Sequence, residues 1–323
     1  MSDYILEMKN IRKEFLGGKI VANDDITLKI IETSDVHGAF FPYDFITRSP
    51  KNGSIARVST FVNRLRKEYG EQNVYLLDNG DILQGQPISY YYNYVAKDKK
   101  NIAASVLNYL KYDAATVGNH DIETGHAVYD KWFNDLEMPI LGANIIDNKT
   151  HQPYISDYHI IKKANGIKVG VIGMITPAIP NWLKESIWSG LQFKEMVSCA
   201  KETIKKMKTE EHPDVIIGLF HSGWDGGIIT PEYAEDASKA VAQQVEGFDA
   251  IFFGHDHTPH NSVETTATGK HVLCLDPANN AQKVAVATIT LSSKGKGKNR
   301  SFYIKNISGE LVDISQLEID TTY

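Results

Sequence analysis

The chain has 323 residues, 42% hydrophobic and 23% charged, with a formal net charge of -6. That length buries a large core, as one large α/β domain or two smaller ones. The acidic balance excludes a general binder of nucleic-acid polymers, which needs a basic surface to displace counterions. A small phosphorylated substrate stays open, because metal ions can supply positive charge locally.

From the N-terminus, Met1 to Asn10 carries Asp3, Glu7 and Lys9 and has no apolar stretch of the kind a signal peptide needs. As encoded, the chain is expected to be cytoplasmic. No run of about 18 apolar residues occurs, so no membrane span is expected. Thr27 to Thr33 alternates and then runs apolar, and short apolar runs recur at Val74 to Leu77, Ala114 to Val117, Val169 to Ile175, Val215 to Phe220 and Ala250 to Phe253. Such runs fit strands of a sheet covered on both faces. Val284 to Leu291 and Arg300 to Ile307 flank the Ser-Lys-Gly-rich stretch Ser292 to Asn299, which reads as a hairpin with a flexible tip.

Helices are expected between the strands. Ile55, Val58, Phe61, Val62 and Leu65 follow a period near 3.6 within Ile55 to Tyr69. Cys199 to Met207 is a weaker case. Gln84 to Val95 is aromatic, and its plain reading is a helix that packs its tyrosines with hydroxyls outward. Cys199 and Cys274 are far apart and have no Cys-x-x-Cys spacing, so they are expected to be buried apolar residues rather than zinc ligands.

Five polar clusters stand where strand-like runs stop. They are Ser34-Asp35-Val36-His37-Gly38, Asn79-Gly80-Asp81, Gly118-Asn119-His120-Asp121, Phe220-His221-Ser222 and Gly254-His255-Asp256-His257. In open α/β sheets, ligands bind at the carboxyl ends of strands, where several loops meet. Each cluster alone has an ordinary structural explanation: a turn at Asp35 or Asn119, a helix cap at Asp81, a core histidine at His221. Together they offer four histidines, two aspartates and one amide. Imidazole with carboxylate suits Zn, Fe, Mn, Co or Ni better than Mg or Ca. Seven ligands exceed what one ion takes. Two ions ~3.5–4 Å apart, sharing a carboxylate, would use them all and clamp a phosphoryl group. Asp81 is the candidate for that shared carboxylate.

These clusters, in this order, resemble the signature of the calcineurin-like metallophosphoesterases. Asp81-Ile82-Leu83-Gln84-Gly85, Gly118-Asn119-His120-Asp121-Ile122-Glu123 and Ala143-Asn144-Ile145 look like the branch of 5′-nucleotidases and 2′,3′-cyclic-nucleotide phosphodiesterases. The likeness covers about Lys29 to Asp320. It implies an α/β fold, a four-layer αββα sandwich with a dinuclear metal site at the C-terminal strand ends. It implies that Asp35, His37 and His257 hold one divalent ion and Asn119, His221 and His255 the other, with Asp81 bridging. It implies that His120, oriented by Asp121, assists the leaving oxygen while a metal-bridging hydroxide attacks phosphorus. The expected activity is hydrolysis of nucleotide phosphoesters. The alternatives are a broader phosphoesterase of non-nucleotide phosphates, or an inactive remnant that binds metal or phosphate.

Two departures from the family follow. A 5′-nucleotidase of this branch carries a C-terminal domain that holds the base between aromatic rings, and this chain stops at Tyr323. Base selectivity is then in doubt and nucleotide binding is expected to be weak. The family is also generally exported. Here Ile5 to Ile30 instead resembles the opening strands of an ABC-transporter ATPase, without the phosphate-cradling Gly-x-x-x-x-Gly-Lys-Ser/Thr loop. The expected division is an atypical leader at 1–28, read as a fused or rearranged N-terminus, and a catalytic domain at 29–323.

Overall fold

The computed structural model describes residues 13–15, 20–22, 25–295 and 300–323. The ATPase-like leader falls largely outside these residues, as does the 296–299 part of the expected hairpin tip. Two six-stranded sheets organise the described chain. The strands of the first are β1 (Ile26–Thr33), β2 (Val74–Asp78), β3 (Ala114–Thr116), β4 (Ile140–Leu141), β11 (Lys283–Lys294) and β12 (Ser301–Asp313), in the order β12-β11-β1-β2-β3-β4. The second holds β5 (Tyr158–Lys162), β6 (Lys168–Ile175), β7 (Val215–His221), β8 (Ala250–Phe253), β9 (His260–Thr265) and β10 (His271–Asp276), in the order β5-β6-β7-β8-β10-β9.

Alternation along the strands makes the layers. On β1, Leu28 and Ile30 face the second sheet, where they meet Val169, Val171, Ile217, Leu219 and Phe252. Ile31 turns the other way, with Leu76 and Val286, onto α1 (Ile55–Tyr69), α2 (Ile102–Leu110) and α3 (His126–Asp135). The outer face of the second sheet packs Ile172, Phe220, Ile251 and Phe253 against α4 (Met196–Glu210) and α5 (Ser238–Gln244). The result is the expected four-layer αββα sandwich. Each fully buried aliphatic or aromatic side chain in it contributes ~1.5–3 kcal/mol.

α1 shows how the local code works. Ile55, Val58, Phe61, Val62 and Leu65 form its buried stripe, and Arg66 and Lys67 in the last turn complement its dipole. Gly70 ends it at φ 85, a conformation that favours glycine. The tyrosine-rich segment begins as a short helix, Pro87–Tyr90, and continues as a π-helical turn over Tyr91–Val95. Ser89, Asn93 and Ala96 face inward and Tyr90 and Tyr91 are exposed, so these two tyrosines point outward as expected. Cys199 and Cys274 are both free and buried.

β1, β2, β3 and β4 run parallel, and so do β6, β7, β8 and β10. Their carboxyl ends lie at one edge of the sandwich. All five polar clusters are delivered there.

Candidate metal centre

Backbone hydrogen bonds lace the loops at this edge together. Asp35 N–H donates to Gly80 O at 3.1 Å, His37 N–H to Asp81 O at 2.9 Å and Asn79 N–H to Thr33 O at 2.8 Å. The Asn79 amide reaches across to the other sheet and donates to Phe220 O at 3.0 Å. Asp78 braces the same turn, accepting from Thr33 Oγ1 at 2.7 Å and from Gly80 N–H at 3.2 Å. Gly118 is required by closeness: a Cβ there would stand 2.1 Å from Asp81 Oδ1.

Asp35, His37, Asp81, His255 and His257 all take positive φ, from 50 for Asp35 to 86 for His255. Left-handed backbone at non-glycine residues costs free energy and gathers at functional sites. Here it has a geometric use. In an extended strand, residues two apart share a face but project in parallel; the left-handed kinks turn Asp35 and His37 toward one point, and send His257 to that same point while His255 goes to a second one beside Asn119.

Two groups of donor atoms result. Asp35, His37 and His257 form the first, with Asp35 Oδ1 at 3.2 Å from His257 Nε2 and 4.0 Å from His37 Nε2. His37 Nε2 and His257 Nε2 are 3.1 Å apart. In the second, Asn119 Oδ1 lies 3.0 Å from His221 Nε2 and 2.8 Å from His255 Nδ1. Asp81 sits next to it, Oδ2 at 3.3 Å from His221 Nε2. Asp35, Asp81 and His221 also cluster as potential ligands.

The electrostatics match a cation site. Asp35 and Asp81 are buried, which would raise their pKa values, yet His221 beside them holds both below the usual carboxylate range. Burial works against a proton on His221, but Asp81 and Asp35 raise its pKa all the same. Asp35 Oδ1, fully buried, has no hydrogen-bond partner. A divalent cation satisfies such an atom and displaces the shared protons. The ring nitrogens that point away from the cluster are held too. His221 Nδ1 is 2.7 Å from Asn79 O, and His255 Nε2 is 3.0 Å from Glu235 Oε1. Oxygen partners on the outer nitrogen fix the tautomer that leaves the inner nitrogen free to ligate. The residues therefore fit divalent metal.

One expected contact is replaced. Asp121 does not orient the His120 ring. Its two oxygens accept four backbone N–H groups: Asp81 at 2.8 Å, Ile82 at 2.9 Å, Leu83 at 2.8 Å and Gly118 at 2.9 Å. Asp121 thereby staples the loop after β2 to the loop after β3. Its pKa rises to about 6 through burial and the nearby charge of Asp81. The partner of His120 is Glu123, whose Oε2 lies 2.8 Å from Nδ1. The His120 backbone N–H donates to Asp81 Oδ1 at 2.8 Å, tying this residue to the centre.

Glu235 joins the site, and Trp182 stands beside it, without a place in the sequence motifs. Glu235 lies in the last strand of a small hairpin, Gly226–Ile229 and Ala234–Asp236, and His255 lowers its pKa. The Trp182 ring centroid is 5.6 Å from that of His255. Trp188 instead packs at the edge of the core beside Phe193. His260 stacks on Trp224 at 4.2 Å and bonds Ser262. Among the described residues, no helix is long and apolar enough to cross a membrane.

Comparison with known proteins agrees with this geometry. The family model for calcineurin-like phosphoesterase matches residues 28–259. The trifunctional nucleotide phosphoesterase protein YfkN of Bacillus subtilis is 33% identical over 257 residues, 75% of this chain and 17% of that protein. A 5′-nucleotidase of Vibrio cholerae is 30% identical over 241 residues, 74% of this chain and 41% of the relative. The chain thus spans well under half the length of these relatives. Its structure superposes on a crystal structure of YfkN from Bacillus subtilis with a TM-score of 0.78, at 29% identity, covering 90% of this chain and 92% of that one. With all five motifs gathered at one sheet edge, the chain belongs to the calcineurin-like phosphoesterase family.

Proposed function

We propose that the chain hydrolyses phosphoesters of nucleotides, as a 5′-nucleotidase, a 2′,3′-cyclic-nucleotide phosphodiesterase or both. The observation that carries this is the convergence of seven nitrogen and oxygen donors from five loops, backed by outer-nitrogen contacts on His221 and His255. Relatives whose names include nucleotide phosphoesterase and 5′-nucleotidase supply the substrate class. Residues 29–323 are the catalytic domain in this reading.

Asp35, His37 and His257 would hold one divalent ion, and Asn119, His221 and His255 the other, with Asp81 between them. When bound, such a pair lowers the pKa of a water and neutralises charge on the phosphoryl oxygens. The protein's own part is placement and proton transfer. Glu123 engages His120 through Nδ1, which leaves Nε2 as the atom to meet the leaving oxygen. Asp121 acts on the site through the backbone, holding the loops of Asp81 and Asn119 in register. The test is an assay of Mn²⁺-loaded protein on AMP, 2′,3′-cyclic AMP and a nitrophenyl phosphate. Turnover of the nucleotides is expected, and no turnover of any by metal-loaded protein would sink the proposal.

A further inference from the structure

We propose that Trp182 is a stacking platform for the nucleobase, carried by the catalytic domain itself. The inference rests on the nucleotide reading above and names the group that would receive the base. Of the four tryptophans, Trp132 is fully buried, Trp188 and Trp224 are partly covered, and Trp182 alone is exposed, at 40%. It stands beside the candidate metal centre, its ring 5.6 Å from that of His255 and tilted by 38°. In a nucleotide, the sugar is the only spacer between phosphate and base. A ring that receives the base must therefore lie within one sugar's reach of the metal ligands, and Trp182 does.

The segment that carries Trp182 is held in place before any substrate arrives. Thr176 N–H donates to His221 O at 2.7 Å, and Thr176 Oγ1 to Glu235 O at 2.9 Å. The short helix Ile179–Trp182 is tied to the neighbouring hairpin by Asn181 Nδ2, which donates to Tyr233 OH at 2.6 Å. The indole of Trp188 donates to Leu183 O at 3.1 Å and closes the segment from the other side. An exposed aromatic ring on a pre-set segment receives a base with little ordering cost. Stacking needs only a π-face, so the platform favours aromatic bases as a class without selecting among them.

The competing role for Trp182 is a structural wedge that keeps His255 in place. Base-free and base-bearing esters separate the two. Mn²⁺-loaded wild type, Trp182→Ala and Trp182→Phe are assayed on AMP and on ribose 5-phosphate, with bound metal measured in each. Trp182→Ala is expected to raise KM for AMP roughly 5- to 150-fold, the range of one base–aromatic stack. KM for ribose 5-phosphate and metal content stay unchanged, and Trp182→Phe recovers most of the loss. Equal losses on both esters, a fall in bound metal, or no change on AMP would overturn the proposal. If wild type turns over neither ester, the hydrolase reading fails on its own. Adenosine titration then decides about Trp182: quenching of tryptophan fluorescence in wild type that is lost in Trp182→Ala supports the platform, and no quenching overturns it.

Discussion

His37 Nε2 and His257 Nε2, 220 residues apart in the chain, approach to 3.1 Å above Asp35 Oδ1. Two imidazole lone pairs repel at that distance, so the contact requires a proton or a cation between them. Burial lowers the pKa of His37, while the Asp35 carboxylate, 3.2 Å away, raises that of His257. His257→Ala removes one corner of the first donor group and leaves the second complete. Metal analysis should show the variant retaining one ion where wild type retains two.

His120 is the candidate proton donor, and it is not one of the metal ligands. His120→Asn should lower kcat by roughly 10²- to 10⁴-fold, the usual range for lost general acid–base catalysis. Metal content should not change. Glu123→Gln keeps the contact to Nδ1 but removes the charge, so its loss should be smaller and should alter the pH profile of kcat. Equal activity of His120→Asn and wild type would remove this residue from the chemistry.

Asp121 acts as a staple. An amide at this position offers one accepting oxygen and one donating nitrogen to four backbone N–H groups. Asp121→Asn leaves buried donors unsatisfied, at about 1–3 kcal/mol for each. Thermal unfolding should shift down by several degrees, and metal affinity should fall with it as the Asp81 and Asn119 loops lose their register. A variant with unchanged melting and metal affinity would show that the staple is dispensable.

Glu235 holds the outer nitrogen of His255 at 3.0 Å. Losing a carboxylate of this kind typically costs ~10–100-fold in metal affinity. Glu235→Ala should show that loss in a metal titration, while the melting temperature of the metal-free protein stays near that of wild type.

Asp276, at the end of β10, gives a pH signature. Oδ1 accepts from Ala278 N–H at 2.6 Å, and Oδ2 is buried without a partner. Burial, aided by the charge of Asp35, pushes its pKa up to about 9 from an ordinary 3.8. Its folded pKa lies above its unfolded one. The stability from the protonated form is therefore complete below the unfolded value and is lost as pH rises through about 9. Asp276→Asn imitates the neutral acid at every pH. In metal-free protein its melting temperature should gain on wild type as pH rises from about 5 to 9, by on the order of 1 kcal/mol in stability or more. Parallel curves would contradict the assignment.

Strand ends and candidate ligands were legible in the sequence because both depend on local pattern. Val215 to Phe220 is an apolar run with a polar stop, and the structure extends it by one residue, to His221. The stripe of Ile55 to Tyr69 gave the bounds of α1 directly. α2, IAASVLNYL, escaped notice because it is apolar nearly all round and ends on left-handed Lys111 rather than on glycine. β9, HNSVET, is an edge strand with polar residues on both faces, so it lacks the apolar alternation of a half-buried strand. The partners of the candidate ligands were hidden for another reason. Glu235 meets His255 only after a hairpin folds back from the other side of α5, and no spacing rule spans that. Asp121 follows His120 in the chain and suggests a dyad, but the turn at Gly118 points its carboxylate at the loop after β2.

Metal analysis beside AMP turnover, on Mn²⁺-loaded wild type and Asp81→Asn, tests the central claim most directly. The account predicts two ions per chain and AMP hydrolysis in wild type, with loss of turnover and of at least one ion when the shared carboxylate is gone. A wild type that holds one ion and hydrolyses AMP, or an Asp81→Asn variant with two ions and full turnover, would contradict it.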